Sequence, residues 1–302
     1  MIFVAVAYAS DDEFKTAAPA NIEIAELEAF LDSLIQAKME EHHIPGVQFI
    51  MVKDGRIYLA KGYGYADLEN EIPVTPERTL FRICSIAKVV TATAVMQLVE
   101  QGRIDLDRDI NEYLTLFKIE NPFPQPVTMR HLLTHTAGFD DVYLDKVGRT
   151  ESEQMPLGEF LADKLPPVIT PPGEVCTYSN LGNALAGYLV EVVSGQDFAE
   201  YANEHIFKPL EMNRSSFRLP DSLAPDLVKG YFHRNGGYLN IPFDFLNDYP
   251  AGQMIATATD MAKFMIAHLQ LGNYEGRQIL SESTVKAMHS KQFSHHPKLD
   301  DN

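Results

Sequence analysis

Phe81-Arg82-Ile83-Cys84-Ser85-Ile86-Ala87-Lys88 decides the fold, because it opens a long apolar run, Val89 to Val99, built almost wholly of Val, Ala, Thr, Met and Leu. A run with no polar face predicts a helix buried on every side. Helical residues three apart share a face, so Ser85 and Lys88 are placed to touch. A hydroxyl is a poor nucleophile near neutral pH, but a neighbouring amine that has lost its proton can take the hydroxyl proton as the oxygen attacks a carbonyl. The spacing therefore points to acyl transfer through a serine without a histidine.

The S-x-x-K pattern is short, and the chain carries its own control. Ser283-Thr284-Val285-Lys286 also fits it, in an ordinary helix that Ser281 begins and with no chemistry around it. Meaning must come from the surroundings of Ser85.

Composition narrows the classes. The chain has 302 residues and a formal net charge of −17. That length suits one large domain or two subdomains, and the negative balance with no basic stripe argues against nucleic acid or an anionic membrane as partner. No apolar run reaches eighteen residues, so no transmembrane segment is expected. Met1 to Ala9 is apolar and ends Ala7-Tyr8-Ala9 before Ser10-Asp11-Asp12. This resembles the tail and cleavage site of a secretory signal without its basic start, and implies a periplasmic or secreted protein. The two cysteines, Cys84 and Cys176, are too few for a disulfide scaffold and lack metal-ligand spacing. A bridge is open to an exported protein, but two free, buried thiols are the expectation.

Along the chain, Asn21 can cap a helix whose apolar positions include Ile24, Leu27, Leu31, Leu34 and Ile35, and Ile44-Pro45-Gly46 stops it. Val47 to Lys53, Asp54-Gly55, and Arg56 to Tyr65 read as a β-hairpin, since Asp-Gly favours the tight turn that matches strand twist. Gly62-Tyr63-Gly64 is followed by no helix and completes no nucleotide loop. Thr128 can cap a helix over 129–135. Leu181 to Val193 repeats apolar residues at helical spacing and stops at Gly195; Asp197, Thr259-Asp260 and Ser281 begin further helices. Asn235-Gly236 marks a second hairpin.

Tyr178-Ser179-Asn180 lies between a loop rich in proline and glycine and that Gly-spaced apolar helix. Its phenol can relay a proton to a leaving group, and its amide can orient a substrate. The same Y-x-N pattern at Tyr201-Ala202-Asn203 and Tyr238-Leu239-Asn240 is read as structural. His131 and His135 are four apart on one helix, yet Leu132 stands where a zinc protease needs glutamate and no third ligand is evident, so packing and capping are expected of them. No G-x-S-x-G elbow occurs.

Read in order, these stretches resemble the serine β-lactamase and penicillin-binding-protein superfamily, nearest its class C and DD-peptidase/esterase branch. The resemblance runs from about Ile44 to Ser290. It includes Ile44-Pro45-Gly46, the Ser85/Lys88 helix, Leu132-Leu133-Thr134-His135-Thr136-Ala137-Gly138, Tyr178/Asn180, Ile206-Phe207-Lys208-Pro209-Leu210 and Pro250-Ala251-Gly252. It implies an α/β fold of the α+β type: an antiparallel sheet flanked by helices, with a mostly helical subdomain. The expected divisions are a signal-like leader over 1–20, a helix and hairpin over 21–84, a helical subdomain carrying the site over 85–255, and helices leading back to the sheet over 256–302. Ser85 would be the nucleophile, Lys88 its base, Tyr178 the proton-transfer partner and Asn180 a substrate-orienting donor. A lysine of ordinary pKa, ~10.4, needs desolvation or a nearby positive charge for that role. The Ser85 backbone N–H, at a helix start, suits an oxyanion.

The chain departs from the family at its third motif, Lys-Thr-Gly or His-x-Gly on a late strand, because neither tripeptide occurs after Tyr178. The expectation is a truncated or partial chain whose C-terminal strands are missing and whose hairpin is left as a two-stranded sheet with an exposed edge. The function expected is a serine hydrolase acting on a small-molecule or peptide acyl substrate (an ester, an amide or a D-alanyl peptide) through an acyl-Ser85 intermediate. It calls for no cofactor and no metal, and oligomeric state stays open. The alternative is a catalytically incomplete remnant that serves as a binding or structural protein.

Overall fold

The computed structural model describes residues 24–140 and 147–294. The signal-like leader and the Asn21 cap lie outside the described residues. Helix α1 (Ile24–His42) leads into β1 (Gly46–Lys53) and β2 (Arg56–Asp67). The two strands pair antiparallel from Gly46↔Gly64 to Lys53↔Arg56. Asp54 and Gly55 turn the hairpin at φ of 51° and 70°, the left-handed values that a two-residue turn needs at both central positions. The sheet has three strands rather than the two expected, because β3 (Ile72–Pro73) pairs with β2. Helix α1 is fastened to β2 by Asp32, which accepts from Lys61 Nζ at 2.6 Å and Tyr63 OH at 2.9 Å.

Next come β4 (Phe81–Arg82), α2 (Ala87–Glu100), α3 (Met129–Leu133), β5 (Val147–Gly148), α4 (Leu157–Lys164), α5 (Asn180–Ser194) and α6 (Phe198–Ala202). They are followed by β6 (Ser215–Ser216), β7 (Gly230–Arg234), β8 (Gly237–Ile241), β9 (Phe245–Leu246), β10 (Ile255–Ala256), α7 (Ala258–Leu269) and α8 (Glu282–Met288). Strand β10 lies between β4 and β6, with Ile255 opposite Arg82. That ladder ties the chain entering Ser85 to a segment far along the sequence.

Helices α2 and α5 pack on each other, and Val90, Ala94, Leu98, Leu181, Leu185 and Leu189 are buried in one core. Burying a leucine or valine contributes about 1.5–3 kcal/mol, so this pairing anchors the helical part. Helix α2 is not buried on every side as its composition suggests: Val89 is 45% exposed. The α-helix also begins just after Ser85 rather than at it. Cys84–Ile86 form a 3₁₀ turn and the α-helix starts at Ala87, because Cys84 enters with a left-handed φ of 50° that no α-helix tolerates.

Other helix ends follow their signals. Gly195 closes α5 in a left-handed C-cap, donating to Glu191 O, while Asp197 and Ser281 cap α6 and α8. Helix α7 begins at Ala258 and is capped by Thr257, two residues before the expected start. Helix α3 stops at Leu133, short of the expected 135, because Thr134 and His135 leave helical geometry. The second hairpin forms at Asn235-Gly236, both with positive φ, joining β7 to β8. The control pair is ordinary surface: Lys286 bonds Glu282 one turn away, and both are exposed.

His268 of α7 is buried against Thr93 of α2, the Phe264 ring of its own helix and His289 just past α8. Burial, then the His289 charge, lowers its pKa from 6.5 to about 4. Between those values the unfolded chain holds a proton that the folded chain does not, so stability present above pH 6.5 is lost as pH falls toward 4. The loss should be on the order of 2–3 kcal/mol. Urea midpoints at pH 7 and pH 5 should show it, and His268→Gln should flatten the difference.

Candidate active site

Ser85 sits in the 3₁₀ turn at the head of α2, and Lys88 follows in the first turn of that helix. Lys88 Nζ lies 3.2 Å from Ser85 Oγ. Only 8% of Lys88 is exposed, so its polar nitrogen must be satisfied internally. Two further acceptors do this: Asn180 Oδ1 at 2.8 Å and the Ala251 carbonyl at 2.7 Å. From the open side, the Tyr178 hydroxyl donates to Ser85 Oγ at 2.8 Å. The tyrosine is 49% exposed, and its ring lies 4.8 Å from Lys88 Nζ. Ser85 Oγ is thus bracketed by an amine within and a phenol without.

Each partner has a local reason for its position. Ser179 caps α5 by accepting from the Gly182 N–H at 3.0 Å, which puts Asn180 on the first helical residue and turns Tyr178 outward. The Ala251 carbonyl is held by a turn over Tyr249–Ala251. There the Pro250 carbonyl accepts from Thr91 Oγ1 at 2.9 Å, and Tyr249 OH donates to Glu191 at 2.9 Å. Burial raises the pKa of Glu191, opposed by the hydrogen bonds that its carboxylate accepts from the Phe198 N–H and the Tyr249 hydroxyl. Gly187 of α5 makes room for the turn, since a Cβ there would meet Pro250 at 2.6 Å.

His135 is a site residue that motif reading missed in this role. Its ring centroid lies 4.4 Å from that of Tyr178, and its Nδ1 accepts from the Ser179 N–H at 3.2 Å. A left-handed φ of 58° at His135 turns the chain so that its carbonyl accepts from Thr177 at 2.8 Å. The run Leu132–Gly138 carried the signal, but nothing in it says which ring meets Tyr178. The Ala251 carbonyl was equally invisible, because any residue type supplies one. Asn180, expected as a donor to substrate, accepts from Lys88 with its oxygen.

His131 and His135 serve packing and capping. His131 Nδ1 accepts from the Thr128 N–H while Thr128 Oγ1 accepts from the His131 N–H, a reciprocal cap for α3. Burial lowers the pKa of His131, consistent with a neutral ring that accepts. Among the described residues no three His, Cys, Asp or Glu side chains gather as a metal would need. Cys84 and Cys176 are free, as expected, but exposed rather than buried. The strained turn at Cys84 swings that side chain out of the core, and Cys176 lies on the exposed loop before Tyr178 with its thiol at 3.5 Å from the Thr134 carbonyl.

This mixed α/β fold, with a serine and a lysine at the head of a buried helix, defines the class of penicillin-binding-protein-like folds. The chain belongs to the Beta-lactamase family, whose model matches residues 31–299. It is 28% identical over 240 residues to Protein flp of Staphylococcus aureus (strain MW2), covering 76% of this chain and 47% of that protein. It is 31% identical over 218 residues to the putative penicillin-binding protein PbpX of Bacillus subtilis (strain 168), covering 71% of this chain and 52% of the other. The chain spans about half the length of these curated relatives. The octameric penicillin-binding protein homologue from Pyrococcus abyssi superposes with a TM-score of 0.76 at 30% identity, covering 90% of this chain and 61% of that one. Family membership supports a serine-hydrolase type of function. No helix among the described residues is long and apolar enough to cross a membrane.

Gly187→Ala tests how far the site depends on the packing behind it. The added methyl should push the Pro250 turn off α5, lowering stability by about 1–3 kcal/mol. Urea unfolding checks this against Gly236→Ala, where a Cβ meets nothing but a left-handed backbone.

Proposed function

We propose that this chain is a serine hydrolase that transfers the acyl group of an ester, amide or D-alanyl peptide through Ser85. One observation carries the reading: Ser85 Oγ lies 3.2 Å from Lys88 Nζ and 2.8 Å from Tyr178 OH. In the attacking state Lys88 is a neutral amine whose two N–H groups remain on Asn180 Oδ1 and the Ala251 carbonyl. Its lone pair then faces the Ser85 hydroxyl.

As Ser85 Oγ bonds to the substrate carbonyl carbon, its proton passes to Lys88 and the carbonyl electrons move onto oxygen. The Ser85 backbone N–H at the start of α2 is a donor for that oxyanion. Collapse of the intermediate breaks the bond to the leaving group, which takes the proton of Tyr178, and the Lys88 ammonium beside the ring neutralises the phenolate. Water then attacks the acyl-serine by the reverse proton path, releasing the acid and restoring the Ser85 hydroxyl. Tyr178 is held for this by His135 beneath its ring and by the Ser179 cap.

The names of two relatives support a penicillin-like acyl donor; a D-alanyl peptide and an ester are carried beside it as what the sequence resemblance implies. The purified chain should be treated with a fluorophosphonate and, separately, with benzylpenicillin, and its intact mass recorded. An adduct is expected that Ser85→Ala abolishes. Persistence of the penicillin adduct marks a penicillin-binding protein, and its decay marks a β-lactamase. No adduct in folded protein would reject the enzyme reading in favour of a binding or structural remnant. Tyr178→Phe should slow acylation by about 10²–10⁴, the usual range for a lost general acid or base. Lys88→Ala should slow it at least as much, measured by stopped adduct formation over time.

A further inference from the structure

Ser85 opens into a cleft of about 1260 Å³, larger than the usual small-ligand pocket of roughly 300–1,000 Å³. Its walls carry three cations, and each is already engaged. Arg78 is paired with Asp226 at 2.6 Å, and Lys229 with Asp67 at 2.8 Å and Glu69 at 3.0 Å. Arg82 donates to the Asp244 carbonyl and lies with its guanidinium 4.0 Å from the Phe243 ring centroid. Beside these engaged cations more of the lining is apolar than polar, with Pro45, Ile72, Leu227, Pro242 and Phe243 among it.

The apolar wall does not end at the rim. Hairpin β7–β8 roots in the cleft, where Tyr231, Asn240 and Ile241 line it. Alternate strand residues share a face and directly paired residues lie side by side. Ile241, Leu239 and Phe232, the last opposite Leu239, therefore form one stripe running outward. They are 42%, 58% and 56% exposed. The other face of the hairpin is fastened to the body: Tyr231 OH donates to Glu69 and accepts from the Leu68 N–H, and His233 stacks on His43 at 3.7 Å. The stripe is therefore held outward, facing solvent, and it meets the cleft at Ile241.

We propose that the substrate of Ser85 carries an aliphatic chain of medium length or longer, which leaves the cleft along Ile241, Leu239 and Phe232. The natural class is an aliphatic ester. This rests on the serine-hydrolase reading above and names its substrate. Continuity with the cleft selects a substrate chain as occupant over a partner protein.

The test is hydrolysis of 4-nitrophenyl esters from acetate to decanoate, each below its micelle concentration, with the Ser85→Ala rate subtracted. Full burial of a methylene is worth up to about fourfold, and an open stripe should give roughly twofold per methylene. The decanoate-to-acetate ratio of kcat/KM should therefore be on the order of 10². In Phe232→Ser/Leu239→Ser, changes on an exposed hairpin face, that ratio should fall at least tenfold. A flat series in the native chain, with Ser85 still labelled by fluorophosphonate, overturns this inference and leaves the hydrolase reading standing. No hydrolysis at any length and no label removes both. A double variant that keeps the ratio but changes oligomeric state in light scattering makes the stripe a contact between copies, and also overturns the inference.

Discussion

The nitrogen of Lys88 is where the described chain is drawn together. It is buried, and a buried amine without partners costs several kcal/mol. Its acceptors come from Ser85 in the turn that opens its helix, from Asn180 92 residues later and from Ala251 163 residues later. The Ser–Lys site is therefore complete only when the head of α5 and the 249–251 turn are both seated. Each is seated by the other: Gly187 lets Pro250 lie against α5, and Glu191 of α5 takes the Tyr249 hydroxyl. A Ser–Lys pair built this way is made by the core rather than added to it.

The open side of Ser85 is arranged differently. Tyr178 is half exposed and rests on the His135 ring, whose nitrogen takes the backbone N–H of Ser179. One face of the serine is thus buried while the other is accessible, an asymmetry that suits the proposed acyl transfer. The paired charges of the adjoining cleft keep a strongly acidic chain from presenting a bare negative wall to its substrate. Arg78, Lys229 and Arg82 are each spent within the protein.

The relatives place this arrangement in a family without choosing its substrate. The chain matches the Beta-lactamase model over 31–299 and shares its fold with an archaeal penicillin-binding protein homologue. A fold of this kind hosts several acyl transfers, so the choice among them rests with the cleft walls.

Much of the fold was legible because it is local. The hairpin around the Asp54-Gly55 turn, the Gly195 stop and the caps at Thr128, Asp197 and Ser281 depend on residues a few positions apart. The Ser85–Lys88 spacing is local as well, one turn on one face. The sequence by itself determined those elements and which side chains could do chemistry. Only the tertiary structure decided that the Ala251 carbonyl holds Lys88, that His135 lies under Tyr178, and that Cys84 and Cys176 face out. It also decided that the helix begins after Ser85, since the left-handed Cys84 joins a strand pinned by β10 to a helix pinned by α5. The physical reason is range: a turn or cap is settled by neighbours in the chain, whereas burial and the partner of a buried nitrogen are settled by segments that only the folded core brings together.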